Sequence, residues 1–256
     1  MLGVRLTCRT YREPVLVNKK MFKQDAVELG EKSLAATMRS ARGSGALVLA
    51  GRGLRALPPA VWSPPALDTD EKWWECCDLV KLDVAHNALE EIPNEVAAAL
   101  TLLETVIASH NRLAQLPTNI DALSSLRVLN VSSNALVALP EALAAIATLR
   151  VLDASTNALR EIDRVLPSGL CELRLDGNHI ARLPDLRCVP NLESLSAARN
   201  ELAELPPSLG ELRKLKTLDV SDNNLTALPD LSGARALVEV DARSNRIGAL
   251  PALPRS

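Results

Sequence analysis

Eight asparagines recur along this chain at near-constant intervals, at Asn87, Asn111, Asn134, Asn157, Asn178, Asn200, Asn223 and Asn245, in steps of 21 to 24 residues. Each closes a nine-residue phrase, first seen as LVKLDVAHN from Leu79 to Asn87. A chain with so short a period is not organised around one central core. It stacks one small supersecondary unit on the next, and no unit is stable alone.

A single unit gives the physical reason for the spacing. Leu82 and Val84 lie two apart, so a short strand points both inward while Lys81, Asp83 and Ala85 point out. Leu79 begins the inward set, and Leu89 and Ile92 continue it after the turn. The asparagine stands where the chain leaves the strand, at a bend whose buried N–H and C=O groups have no ladder partner and still need hydrogen bonds. Its side-chain amide offers both a donor and an acceptor. Stacked units would then share a column of asparagines. Prolines on the far side of each unit, as in Ile92-Pro93, Leu116-Pro117 and Leu139-Pro140, fix φ and remove a donor, which favours extended or irregular backbone over long helices.

Period and pattern together indicate a leucine-rich repeat solenoid. The expected architecture is an α/β horseshoe with a concave parallel sheet of about nine short strands and a convex side of irregular backbone, 3-10 turns or short helices. Aromatic residues make up 2% of the chain against 47% hydrophobic, so the interior is aliphatic. The formal net charge of −2 gives no general attraction to nucleic acid or to an anionic membrane surface. No run approaches 18 apolar residues, and the arginines at 5, 9 and 12 precede no apolar stretch of secretory length. Five cysteines, at 8, 76, 77, 171 and 188, form an odd set, which suits a reducing compartment. The expected location is the cytoplasm, with the nucleus also open.

Four regions follow in order. Residues 1–24 carry no periodic signal and are expected to be mobile. Residues 25–62 combine a capping helix and a degenerate first repeat. The helix is expected to start at Asp25 and to use Val27, Leu29, Leu34 and Met38, ending at Gly43. In the repeat, Leu47, Leu49, Leu54 and Leu57 hold the inward positions, and Arg52 stands where the asparagine belongs. Residues 63–78 are an insert containing Trp73 and Trp74, which either anchor a partner or plug the side of the solenoid. Cys76 and Cys77 lack any second ligand pair at metal-binding spacing, so no metal is expected. Residues 79–256 hold eight repeats. The fifth, sixth and eighth are shorter, so curvature is expected to tighten toward the C-terminus, where the last repeat is followed by only a few residues and end-to-end self-association through an uncapped edge becomes an expectation.

The run SGALVLAGRGLRALPPAVW, followed by an insert containing EKWWECCDLVKLDVAHNAL, resembles the leucine-rich repeat-containing protein 40 family. Leu-Pro on the outer arc is shared more widely with the intracellular, Ras-group-related leucine-rich repeat proteins. The resemblance covers roughly residues 33–256. It implies a non-enzymatic scaffold or adaptor active in signal transduction and brings no catalytic residue and no cofactor with it.

Function should therefore lie in the outward strand positions, which stacking aligns in rows on the concave face. One row reads Val48, Asp83, Ile107, Asn130, Asp153, Arg174, Ser196, Asp219, Asp241, and the other Ala46, Lys81, Thr105, Val128, Val151, Glu172, Ser194, Thr217, Glu239. Ile107, Val128 and Val151 are expected to form an apolar contact centre, rimmed by Thr105, Asn130 and nearby serines. At the C-terminal end, Asp219, Asp222, Glu239 and Asp241 gather near Arg199 and Arg243, either to dock a basic partner or as a self-neutralised surface. The candidate partner-binding residues are Asp83, Thr105, Ile107, Val128, Asn130, Val151, Asp153, Arg174, Asp219 and Asp241. His86 and His110 occupy equivalent positions, without the third ligand or adjacent nucleophile that metal binding or catalysis would need. The expected partner is a protein, with no nucleic acid and no membrane. The alternative is the recognition or regulatory part of a larger enzyme system, a ubiquitin ligase, a kinase or a phosphatase.

Overall fold

A computed structural model describes residues 31–63, 78–162 and 166–248. Residues 1–30 and 64–77 lie outside it, so the expectations about the first 24 residues, Asp25, and the Trp73-Trp74 insert concern undescribed residues, as does the end of the last repeat after 248. Helix α1, Glu31–Ser44, comes first and turns Met38 and Ala41 into the core. It continues past Gly43 because the left-handed residue that ends it is Gly45, with φ of 69°. The Gly45 N–H closes the helix on the Ala41 carbonyl at 2.8 Å, a helix-terminating role that glycine fills without a Cβ penalty.

Nine strands of three residues each follow: β1 Ala46–Val48, β2 Lys81–Asp83, β3 Thr105–Ile107, β4 Val128–Asn130, β5 Val151–Asp153, β6 Glu172–Arg174, β7 Ser194–Ser196, β8 Thr217–Asp219 and β9 Glu239–Asp241. They form one parallel sheet in sequential order, each strand pairing in register with the next. The register puts Leu47, Leu82, Val106, Leu129, Leu152, Leu173, Leu195 and Leu218 in one inward column, all buried. A second buried column one pleat on holds Leu49, Val84, Ala108, Val131, Ala154, Leu175, Ala197 and Val220. Each buried leucine contributes about 1.5–3 kcal/mol of transfer free energy, realised only when a neighbouring unit covers it.

The outer arcs are set by their length and by proline. Pro58, Pro93, Pro140 and Pro206 all sit at φ near −65° with extended ψ, so each fixes the residue before a helical turn and withholds no useful donor. The longest repeat step, from Asn87 to Asn111, has room for a short α-helix, α2 Asn94–Ala99. Five other arcs make 3-10 turns, at Pro59–Val61, Ile120–Ala122, Glu141–Ala145, Leu186–Cys188 and Pro207–Glu211, and the arc between β8 and β9 makes plain turns. The longer rise per residue of a 3-10 turn, about 2.0 Å against about 1.5 Å in an α-helix, spans an arc with fewer residues. Among the described residues no helix is long and apolar enough to cross a membrane.

Candidate protein-binding face

The bend at the end of each strand is what holds the concave face open. The residue before every asparagine adopts the left-handed conformation: His86, His110, Ser133, Thr156, Arg199, Asp222 and Ser244 have φ between 53° and 55°, and Gly177 has 64°. For a residue with a Cβ this region is sparsely occupied, and most of all for a β-branched one such as Thr156. Its backbone N–H is aimed along the stack and continues the ladder beyond the strand. His86 donates to the Ser109 carbonyl at 2.9 Å, Ser133 to Ser155 at 2.8 Å and Asp222 to Arg243 at 2.9 Å.

The asparagine then completes the bend of the unit before it. In Asn134, Nδ2 donates to the Ala108 carbonyl of the preceding unit and to the Val131 and Ser132 carbonyls of its own, and Oδ1 accepts from the Leu113 N–H, all within 2.9 to 3.1 Å. The same bonds recur at Asn111, Asn157, Asn178, Asn200, Asn223 and Asn245. Asn157, Asn178, Asn200 and Asn223 are buried. Asn87 serves the first unit, accepting from both Arg52 N–H and Leu54 N–H and donating to the Leu49 carbonyl. Each asparagine therefore works for its predecessor. The first unit has none, so position 52 is free to be arginine, and the Arg52 guanidinium reaches Thr37 of α1 at 3.0 Å instead.

Above this frame the two outward rows align as the strand register dictates. Thr105, Ile107, Val128 and Val151 are half-buried on neighbouring strands β3 to β5. Val48 on β1 is exposed. Five of the ten candidate residues use a side-chain oxygen locally, on the backbone N–H two residues ahead. Asn130 accepts from Ser132 N–H and Oγ at 3.0 and 2.8 Å, Asp153 from Ser155 at 3.1 and 2.6 Å, and Asp219 from Ser221 at 3.0 and 2.7 Å. Asp83 accepts from Ala85 N–H, and Asp241 from Arg243 N–H. These Asx turns pin the strand exit, leaving each side chain with remaining acceptor capacity at the face. At Asn130, Asp153 and Asp219 the spacing of Asn or Asp two residues before Ser is the sequence signal, whereas Asp83 and Asp241 precede Ala85 and Arg243.

Asp176 was not among the candidates, yet it bridges two units, accepting from Ser196 Oγ at 2.5 Å and Ala198 N–H at 2.8 Å. Arg174 is paired with Glu172 on its own strand at 2.5 Å. At the C-terminal end the Arg243 guanidinium hydrogen-bonds both Asp241 oxygens at 2.9 Å. This holds the Asp241 carboxyl below the usual carboxylate range, while the same hydrogen bond raises Arg243, to which Asp219 and Asp222 add Coulombic attraction. His86 and His110 stack face to face at the strand-exit rim, centroids 4.3 Å apart with planes 10° from parallel. Parallel rings cannot both direct an in-plane nitrogen at one ion, and among the described residues no group of three or more His, Cys, Asp or Glu side chains is placed to hold a metal.

The pattern of the family described as Leucine Rich repeats (2 copies) matches residues 190–233. A leucine-rich repeat and calponin homology domain-containing protein of Drosophila melanogaster is 35% identical over 200 residues, which cover 77% of this chain and 21% of that protein. The chain thus spans about a fifth of the length of this curated relative. Among solved structures, the leucine-rich effector YopM from Yersinia pestis matches 87% of this chain and 56% of its own at 28% identity, with a TM-score of 0.69. YopM from Yersinia enterocolitica WA-314 matches 79% and 38% at 34% identity, with a TM-score of 0.58. Nine in-register parallel strands, a bend at every asparagine and these likenesses lead to one identification: the chain is a leucine-rich repeat protein.

Proposed function

We propose that the chain is a non-enzymatic recognition module that holds a partner protein on its concave face, with the contact centre on β3 to β5. The observation that carries this reading is the grouping of Ile107, Val128 and Val151 on adjacent strands, Val128 and Val151 paired in one outward row and Ile107 beside them in the other, on a face whose other positions from β6 to β9 are hydroxyl or charged. Apolar groups grouped on an otherwise polar surface favour contact with a second macromolecule. The oxygens of Asn130, Asp153 and Asp219 left over from their turns supply a polar rim. An odd set of cysteines supports action in a reducing compartment, as a cytoplasmic scaffold or adaptor in signalling. The first unit and its insert support kinship with the leucine-rich repeat-containing protein 40 family.

The test is affinity capture by the native chain and by an Ile107→Glu and Val128→Glu double variant whose circular dichroism is unchanged. Partners kept by the native chain and lost by the variant are the expected result. Identical captured sets would remove the concave centre from consideration and turn attention to the tryptophan insert. A second reading makes the chain the recognition or regulatory part of a longer protein or enzyme system. The observation in its favour is that the chain spans 21% of its fly relative. Sequencing the full transcript decides between the two.

A further inference from the structure

The polarity of the concave face changes along the stack, and that gradient describes the partner. Granted the concave-face reading above, what the face can hold depends on what the sheet leaves unsatisfied. Every strand from β2 to β8 is hydrogen-bonded on both sides, so an extended peptide lying on this face finds no backbone group to pair with. Recognition there goes through side chains. Strands lie about 4.8 Å apart and a helix advances about 5.4 Å per turn, so successive turns of a helix laid across the strands fall close to successive strands. On β3 to β5 such a helix meets Ile107, Val128 and Val151. On β8 and β9 it meets Asp219, Glu239 and Asp241, and no ion pair engages Glu239 among the described residues.

We infer that the concave face takes an amphipathic helix of a partner protein, laid across the strands, with an aliphatic stripe over Ile107, Val128 and Val151 and Lys or Arg residues at the end over Asp219, Glu239 and Asp241. From β3 to β9 the span is about 29 Å, the length of a helix of about 19 residues. The aliphatic stripe supplies most of the affinity, and the basic end sets direction and approach.

The test is selection of a displayed library of helical peptides about 19 residues long against the full chain, followed by fluorescence anisotropy at low and high salt. The expected winners carry aliphatic residues at i, i+4 and i+7 and basic residues at one end. Exchanging that basic end for glutamates should weaken binding about tenfold, with most of the loss disappearing at high salt. Val128→Thr keeps the β-branched shape and should weaken binding about fivefold, since it places a hydroxyl against the stripe. Glu239→Lys, at an exposed position, should flatten the salt dependence. No enriched helical peptide, or winners indifferent to both Val128→Thr and Glu239→Lys, overturns the inference. If peptides fail while protein capture still depends on Ile107 and Val128, the helical occupant falls and the concave face stands. If both fail, both readings fall together.

Discussion

Strands β3 to β5 and strands β6 to β8 are built on the same buried columns and the same asparagine bonds, yet they use their surfaces differently. In the first group Ile107, Val128 and Val151 stand among the outward positions, and Arg127 with Glu104 at 3.6 Å is a cross-unit ion pair between described residues. In the second, neighbouring units are laced together by charge. His179 meets Glu201 at 3.0 Å, Arg182 meets Glu204 at 3.5 Å, Arg187 meets Glu211 at 2.5 Å and Lys216 meets Glu193 at 2.6 Å. Lys214 also reaches Asn191, and Thr217 reaches Ser194. Charge on a repeat surface is therefore not automatically offered to a partner. Much of it in the later units is engaged by the next turn of the same chain, whereas in the earlier units Ile107, Val128 and Val151 stay half-buried at the face.

The largest difference between the two halves is expected on the outer arcs. Gly210 and Ala144 stand at the same place, the fourth residue after Pro206 and Pro140 respectively. A Cβ on Gly210 would lie 2.0 Å from the Asp230 carbonyl oxygen, a backbone atom that cannot step aside, whereas Ala144 already carries its Cβ and is partly exposed. Gly210→Ala should cost about 3 kcal/mol in urea denaturation, and Ala144→Gly under about 1 kcal/mol. Equal costs would mean that the two halves pack alike. The asparagine ladder predicts the opposite kind of result. Asn111→Leu and Asn200→Leu each orphan a backbone N–H and carbonyls in two units, so each should cost about 2 kcal/mol or more, whichever half it lies in. A large disparity would show that the halves differ at the level of the frame as well as the surface.

A smaller effect is expected at the left-handed position, where the earlier half has Thr156 and the later half Gly177. Gly177→Thr should lower stability by about 1 kcal/mol, and Thr156→Gly should be neutral or slightly stabilising, because the gain in backbone ease is offset by chain entropy. The smallest effect is the response to acid. Lys216 holds Glu193, and Arg187 holds Glu211, below their ordinary value of 4.5, chiefly by side-chain hydrogen bonds. A carboxyl with a lowered folded-state pKa stabilises above its unfolded value and loses that contribution as pH falls through the folded one. Hydrogen exchange, corrected for intrinsic rates, should show β6 to β8 losing protection before β3 to β5 below about pH 4.5. Simultaneous loss would show that the exposed pairs add nothing.

Much of the fold was legible in the sequence because leucine and asparagine each have a single structural job at a fixed spacing. Nine strands and a convex side of short turns followed directly from that. The left-handed residue before each asparagine was not legible, since His, Ser, Thr, Gly, Arg and Asp all occupy it and share no side-chain chemistry. What holds that conformation is the ladder bond of its backbone, which the penalty of a Cβ weakens without preventing. The outward rows could be listed from periodicity alone, but the local duty of Asn130, Asp153 and Asp219 could not be weighed until the turns were seen. Arg187 illustrates the same limit: its pairing with Glu211, 24 residues on, depends on arc lengths that differ from unit to unit.

The asparagine bonds have a direction, and direction matters while the protein is being made. Because Asn87 supplies Arg52, Leu54 and Leu49, and every later amide serves the bend before its own, a freshly synthesised corner stays unfinished until the next asparagine, 19 to 38 residues on, has left the ribosome. The nascent molecule therefore locks in sequence, always one coil behind its growing tip, and a pause in translation leaves a single bend awaiting its amide.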